Sequence, residues 1–139
     1  MTVTSSGIDV GDEITPLDVD ITTTAIVAGA LATHDWMPMH HDRDYAQAQG
    51  APDIFFNIFS TNAYVARFVS EWAGPEAILK NINIRLGAQA IPGHIMKMTG
   101  NITRKETEGD ECLIEVAIRA AVESGDHATG TVTLTLPLS

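Results

Sequence analysis

The chain has 139 residues, 45% of them hydrophobic, and carries 18 acidic against 8 basic residues for a formal charge of −10. That length predicts one domain, residues 1–139, with a core of its own, and the acidic balance opposes nucleic acid, whose binding rests on neutralising phosphate. No window reaches the roughly 18 unbroken apolar residues of a membrane span, the opening "MTVTSSGIDVGDEITP" lacks the basic and apolar regions of a secretory signal, and a lone cysteine, Cys112, cannot form an internal disulfide, which agrees with the reducing cytoplasm.

The first 16 residues are polar and predict irregular structure ending at Pro16. "LDVDIT" then alternates like a short strand with Leu17, Val19 and Ile21 on one side. Thr22 to Thr24 can cap a helix over "AIVAGALAT". Pro38 removes a donor and biases Met37 away from helix, so residues 34 to 40 are expected to form a loop. "DRDYAQAQG" reads as a short helix with Asp42 near its start and Gly50 at its end.

The longest apolar-periodic segment is "DIFFNIFSTNAYVARFVSEWAGP". Ile58, Phe59, Ala63, Ala66, Val69 and Trp72 recur at near-helical intervals, and Tyr64, Val65 and Phe68 widen that surface. Such a helix, apolar nearly all round, is expected to be buried, and Gly74 and Pro75 stop it. Beyond it the period falls to 2. "ILKNINIRLG" places Ile78, Lys80, Ile82, Ile84 and Leu86 on one face, and "HIMKMTGNITRKE", "ECLIEVAIRAAVE" and "HATGTVTLTLP" follow as strands separated by turn signals. The fold class is therefore α+β, with an antiparallel sheet wrapped around a long central helix.

The chemistry concentrates in "ALATHDWMPMHHDRD". His34, Asp35, His40, His41 and Asp42 are all possible metal ligands, although no helical His-x-x-x-His pair and no cysteine joins them. A solvated turn is the plainest reading. General acid/base catalysis is the third: Asp35 and His40 flank Met37 and Pro38, and a loop bent at proline can aim both at one water. Adding water to a conjugated double bond requires one proton removed from water and one delivered to the neighbouring carbon. It also requires a stabiliser for the enolate oxygen, which backbone N–H groups at the start of the central helix, near Phe56 and Asn57, could supply.

"VGDEITPLDVDIT", "THDWMPMHHD" and "DIFFN" resemble the MaoC-like, hydratase 2 type enoyl-CoA hydratases, which have the hot-dog fold. The family motif reads roughly S/T-G-D-x-N-P-x-H-x-D and matches here as Thr33, Asp35, Pro38, His40 and Asp42. The resemblance puts the catalytic pair on Asp35 and His40. His34 stands in place of glycine, Met37 in place of asparagine, and Phe56-Asn57 in place of His-Gly at the start of the central helix. The backbone N–H of Asn57 remains available as the oxyanion donor.

"ALATHDWMPMHHDRDYAQAQGAPDIFFNI" and "EWAGPEAILKNINIRLG" are similar, more narrowly, to the small subunit of heteromeric enoyl-CoA hydratases that act on steroid side chains. That resemblance implies hydration of a 2-enoyl-CoA to a 3-hydroxyacyl-CoA with a bulky acyl group, and pairing with a larger MaoC-like hot-dog subunit, two heterodimers forming a tetramer. It also implies a link, through that subunit, to a thiolase-like aldolase. Coenzyme A is part of the substrate, and no separate cofactor or metal is expected.

Phe55, Phe56 and Phe59, with Tyr64, are candidates to line an apolar acyl pocket, with core packing as the plain alternative. Arg85 is a candidate contact for the cofactor phosphates, with an exposed ion pair as its alternative. His94 and His127 carry no motif, and Met37 and Met39 are expected to pack the loop down. Three other readings remain: a hot-dog dehydratase or thioesterase, a non-catalytic subunit shaping a partner's pocket, and a metal-dependent enzyme. Thioesterases commonly use a carboxylate on the central helix, and only Glu71, at its far end, is available.

Overall fold

The alternating and helical stretches become eight elements in the computed structural model, which describes residues 1–139. They are β1 (Leu17–Asp20), α1 (Thr23–Ala32), α2 (Arg43–Ala48), α3 (Ile58–Ala73), β2 (Ile78–Leu86), β3 (Ile95–Glu108), β4 (Glu111–Val122) and β5 (Gly125–Pro137). Single 3-10 turns occur at Ser5–Gly7 and Pro38–His40. The strands form one antiparallel sheet in the order β1-β3-β4-β5-β2, leaving β1 and β2 at its edges. Residues 1–16 add a single bridge, Glu13 to Asn101, and place Ile8 and Ile14 in the core.

Alternation decides which face of the sheet is apolar. Cys112, Ile114, Val116, Ile118 and Ala120 of β4 point inward beside Met96, Met98 and Ile102 of β3 and Val132, Leu134 and Leu136 of β5, all buried. Helix α3 covers that face through Val65, Phe68, Val69 and Ala73. Each buried Val, Leu, Ile, Phe or Met side chain among them contributes about 1.5–3 kcal/mol relative to exposure, which is why the helix and the sheet form together. Gly74, at φ 88°, ends α3 in a conformation that penalises a Cβ. A sheet wrapped on a central helix is the hot-dog arrangement.

Four expectations change in detail. Helix α3 is buried along one stripe, Thr61, Val65, Phe68, Val69 and Ala73, while Ile58 and Phe59 are 44% and 55% exposed. The sheet covers one side of the helix, where Thr61 meets His127 of β5, and Ser60 is covered by α1. Strand β2 shifts register between Leu79 and Asn81, so Leu79, Ile82 and Ile84 are its half-buried residues and Ile78 and Leu86 are exposed. An extra residue in one strand of a pair reverses the alternation around it. Pro38 starts a 3-10 turn instead of lying in open loop, because its fixed φ suits the first position of a helical turn. Met37 is 49% exposed and does not pack the loop down.

Candidate active site

Helix α1 is capped by Thr22, whose Oγ1 accepts from Ala25 N–H at 3.0 Å. At its other end Thr33 Oγ1 donates to the Gly29 carbonyl at 2.7 Å. The chain then reverses at His34, the one non-glycine residue in the left-handed region, with φ 56°. This is the position where the MaoC-like motif has glycine, which adopts that conformation freely. The Asp35 N–H returns to the Ala30 carbonyl at 2.9 Å, so Asp35 stays close to the helix end.

Beyond Pro38 the N–H groups of His41 and Asp42 both reach the Pro38 carbonyl, at 3.1 and 2.7 Å. Asp42 then caps α2 by accepting from Tyr45 N–H at 3.0 Å. These bonds close the loop into a compact turn that faces His40 toward Asp35. His40 Nε2 lies 3.5 Å from Asp35 Oδ2, with the two side chains only 10% and 16% exposed.

Each group of the pair is held from behind. His40 Nδ1 is 2.7 Å from the Phe55 carbonyl oxygen. A carbonyl only accepts, so Nδ1 carries a proton, and Nε2 is the nitrogen that faces Asp35. The Phe55 ring packs edge-on against the imidazole, centroids 5.0 Å apart. Asp35 Oδ1 accepts from Met37 N–H at 3.2 Å, and Oδ2 accepts from Asn57 Nδ2 at 3.0 Å. The Asn57 amide, ahead of the Met37 N–H and the nearby His40, holds the Asp35 carboxyl below its ordinary value of 3.8, against an opposing effect of burial. Donors that stabilise the anion do this directly.

Asn57 is the N-cap of α3, its Oδ1 accepting from Ser60 N–H at 2.9 Å. The Phe56 N–H is used by the Ala90 carbonyl at 3.1 Å, whereas the Asn57 N–H has no partner within the chain. The N-cap of α3 thus keeps an unpartnered backbone donor at the positive end of the helix dipole, in the residue whose side chain binds Asp35. Ser60 Oγ is buried without a hydrogen-bond partner, against Gly29 of α1, where any added Cβ would collide with it.

The structure therefore brings together Asp35, His40, Asn57 and Phe55. Phe56 is 2% exposed and stacks on Tyr64 with centroids 5.4 Å apart, so it is a core side chain and lines no open pocket. Phe59 is exposed on the first turn of α3. Arg85 is exposed on β2, where its backbone pairs with Thr129, and it does not join this cluster. His34 and His41 are exposed, Asp42 is a helix cap, and no three His, Cys, Asp or Glu side chains converge on one point. Glu71 forms a surface pair with Arg67 at 2.7 Å.

Two polar residues carry more than their sequence context suggests. The sequence marked Asn57 only for its backbone N–H, and its side chain proves to be both the cap of α3 and a donor to Asp35. His127 is 2% exposed, with Nδ1 2.7 Å from the Ala88 carbonyl and Nε2 2.8 Å from Thr61 Oγ1 of α3. No local pattern marks His127, because its partners lie 39 and 66 residues away.

Comparison with known proteins agrees with this architecture. The MaoC like domain family matches residues 9–124. The beta subunit of 3-oxo-4,17-pregnadiene-20-carboxyl-CoA hydratase from Mycobacterium tuberculosis is 42% identical over 113 residues, covering 81% of this chain and 84% of that protein. A chain in the crystal structure of the ChsH1-ChsH2 complex from the same organism superposes with a TM-score of 0.86 at 40% identity, over 92% of this chain and 98% of that one. An R-hydratase from Pseudomonas aeruginosa gives a TM-score of 0.86 at 17% identity, over 99% and 88% of the two chains, a likeness of fold alone. The chain belongs to the MaoC-like family of hot-dog proteins.

Proposed function

We propose that this chain is the catalytic subunit of a heteromeric hydratase that adds water to a bulky, steroid-type 2-enoyl-CoA, giving the 3-hydroxyacyl-CoA. Its family membership and its likeness to a CoA hydratase subunit make it an enoyl-CoA hydratase, a hydro-lyase. The observation that carries the residue assignment is the 3.5 Å approach of Asp35 Oδ2 and His40 Nε2 beside the uncapped N–H of Asn57.

In this mechanism Asp35 and His40 hold one water between them. Its oxygen bonds to Cβ as the π pair of the double bond moves toward the thioester. The resulting enolate oxygen is met by the Asn57 N–H at the N-terminus of α3, where fixed donors stabilise developing charge. Between them the two side chains take one proton from the water and return one to Cα. The elements of water are added and no cofactor is consumed, coenzyme A being part of the substrate.

The acyl group and the assembly rest on the curated relative, named for a C20 carboxyl-CoA steroid, and on the matched chain, which comes from a complex of two proteins. The exposed Phe59 and Ile58 beside the candidate site fit an apolar acyl path completed by a second, larger hot-dog subunit. Phe55, Phe59 and Arg85 are assigned to substrate binding, Arg85 toward the coenzyme A phosphates. A thiolase-like aldolase acting through the larger subunit belongs to the same proposal. A thioesterase reading is disfavoured by the engagement of Glu71 with Arg67 on the surface.

The test is co-purification with candidate hot-dog subunits, followed by hydration assays on steroidal and short-chain enoyl-CoAs. Turnover of steroidal substrate by the pair only is expected. Turnover of crotonyl-CoA by this chain alone, as a homodimer, would refute the heteromer.

A further inference from the structure

We propose that the Asn57 side chain is the positioning residue of the site: a single buried amide ties the end of α1, the Asp35 loop and the N-terminus of α3 together and aims Asp35 Oδ2 at His40. The proposal rests on Asp35 being the working carboxylate. Asn57 is 3% exposed and spends its amide on three elements. Nδ2 donates to Asp35 Oδ2 at 3.0 Å and to Thr33 Oγ1 at 2.9 Å, and Oδ1 accepts from Ser60 N–H at 2.9 Å.

The orientation of the amide follows from these partners. Ser60 offers a backbone N–H, so the oxygen must face it and the NH2 group must face the carboxylate. A flipped amide would set two donors against each other and a carbonyl against the Asp35 carboxylate. Thr33 has one hydroxyl proton, directed to the Gly29 and Ala30 carbonyls, so it can only accept from Asn57. Donation therefore runs in one direction, from Asn57 outward to both neighbours.

The consequence is both geometric and electrostatic. Asp35 Oδ2 is the oxygen nearest His40, and Asn57 is its only hydrogen-bond donor within the chain. His40 is the only titratable side chain that contacts Asp35. The donated proton keeps Asp35 ionised and limits the freedom of the carboxylate, while the same residue caps the helix whose N–H faces the thioester.

Capping and positioning separate by substitution. Asn57→Ser and Asn57→Asp both keep an oxygen able to cap Ser60 N–H, but both remove the Nδ2 donor, and the second places a like charge against Asp35. Carboxyl 13C NMR titration of Asp35 in the full chain is expected to show its midpoint raised in Asn57→Ser and raised further in Asn57→Asp. In the assembled hydratase, with 3-oxo-4,17-pregnadiene-20-carboxyl-CoA as probe, kcat should fall roughly ten- to a hundredfold with little change in KM. The acid limb of the pH profile should move in the same direction as the NMR midpoint.

Thr33→Val removes the second acceptor and leaves the cap untouched, so it serves if the Asn57 variants fold poorly; a smaller fall in kcat is expected. An Asp35 midpoint and acid limb unchanged in all three variants would overturn the positioning role. Full hydration by Asp35→Asn would instead overturn the functional reading, while the NMR titration still decides whether Asn57 holds the carboxylate.

Discussion

Asp35 Oδ2 and His40 Nε2 meet at 3.5 Å because backbone groups secure the far side of each: Met37 N–H on Asp35 Oδ1, and the Phe55 carbonyl on His40 Nδ1. The two residues stand five positions apart with four loop residues between them, and Pro38 folds that loop back. A carboxylate and an imidazole fixed in this way can share a water without losing either orientation.

Removing either partner is expected to abolish most of the chemistry and leave the fold. Asp35→Asn and His40→Ala should each lower kcat/KM for hydration by about 10²–10⁴-fold, with circular dichroism and assembly unchanged. Intact hydration in both variants would make this a non-catalytic subunit that shapes a partner's pocket.

The pH dependence of stability should carry the signature of His127. Burial first, then the nearby His94, push its pKa below 6.5, partly opposed by the hydrogen bond to Ala88. Between that lowered value and the ordinary one, the unfolded chain binds more protons than the folded one. Stability therefore falls as the pH drops below about 6.5, and this loss levels off once the folded-state value is passed. Urea unfolding from pH 8 to pH 5 should show this slope, and His127→Gln should flatten it.

The turn at His34 is expected to be sensitive to side-chain shape. A β-branched residue strongly disfavours the left-handed region, so His34→Val should cost about 1–2 kcal/mol in urea unfolding. His34→Gly fits φ 56° without strain and should keep the turn. Because Asp35 follows directly, the Val variant should also lose hydration activity, and equal stability of all three chains would show that the turn tolerates strain.

Phe59 offers a test of the acyl path. It is 55% exposed on the first turn of α3, so Phe59→Ala should change the stability of the isolated chain by less than about 0.5 kcal/mol. In the assembled enzyme it should raise KM for a steroidal enoyl-CoA more than for crotonyl-CoA. Equal effects on both substrates would remove Phe59 from the pocket.

Much of the fold was legible because it rests on local periodicity. Val132, Leu134 and Leu136 alternate with threonines and all three are buried; Thr22, Asp42 and Gly74 stand where capping chemistry puts them. The buried stripe of α3 was not legible. Apolar Ile58 and Phe59 stay exposed while Thr61 is fully buried, since its hydroxyl finds His127 on β5. Hydrophobicity ranks side chains one at a time, whereas a buried hydroxyl needs a partner that only the folded chain supplies. The bulge in β2 escaped for a related reason, since a strand shows its extra residue only against its neighbour.

By itself the sequence determined the order of helix and strands, the breaks at Pro38 and Gly74, and the family to which the motif around Asp35 and His40 points. These follow from the period of apolar residues and from short-range backbone preferences. The tertiary structure alone decided how Asp35, His40 and Asn57 meet. Their contact depends on the end of α1, the 3-10 turn at Pro38 and the start of α3 converging, and that convergence is set by the packing of the helices, including the close approach of Ser60 to Gly29. It also made the side chain of Asn57, of which the sequence marked only the backbone N–H, the group that touches the carboxylate, because a side-chain amide has donors to spare once its oxygen is capping a helix, and only the fold determines what stands within their reach.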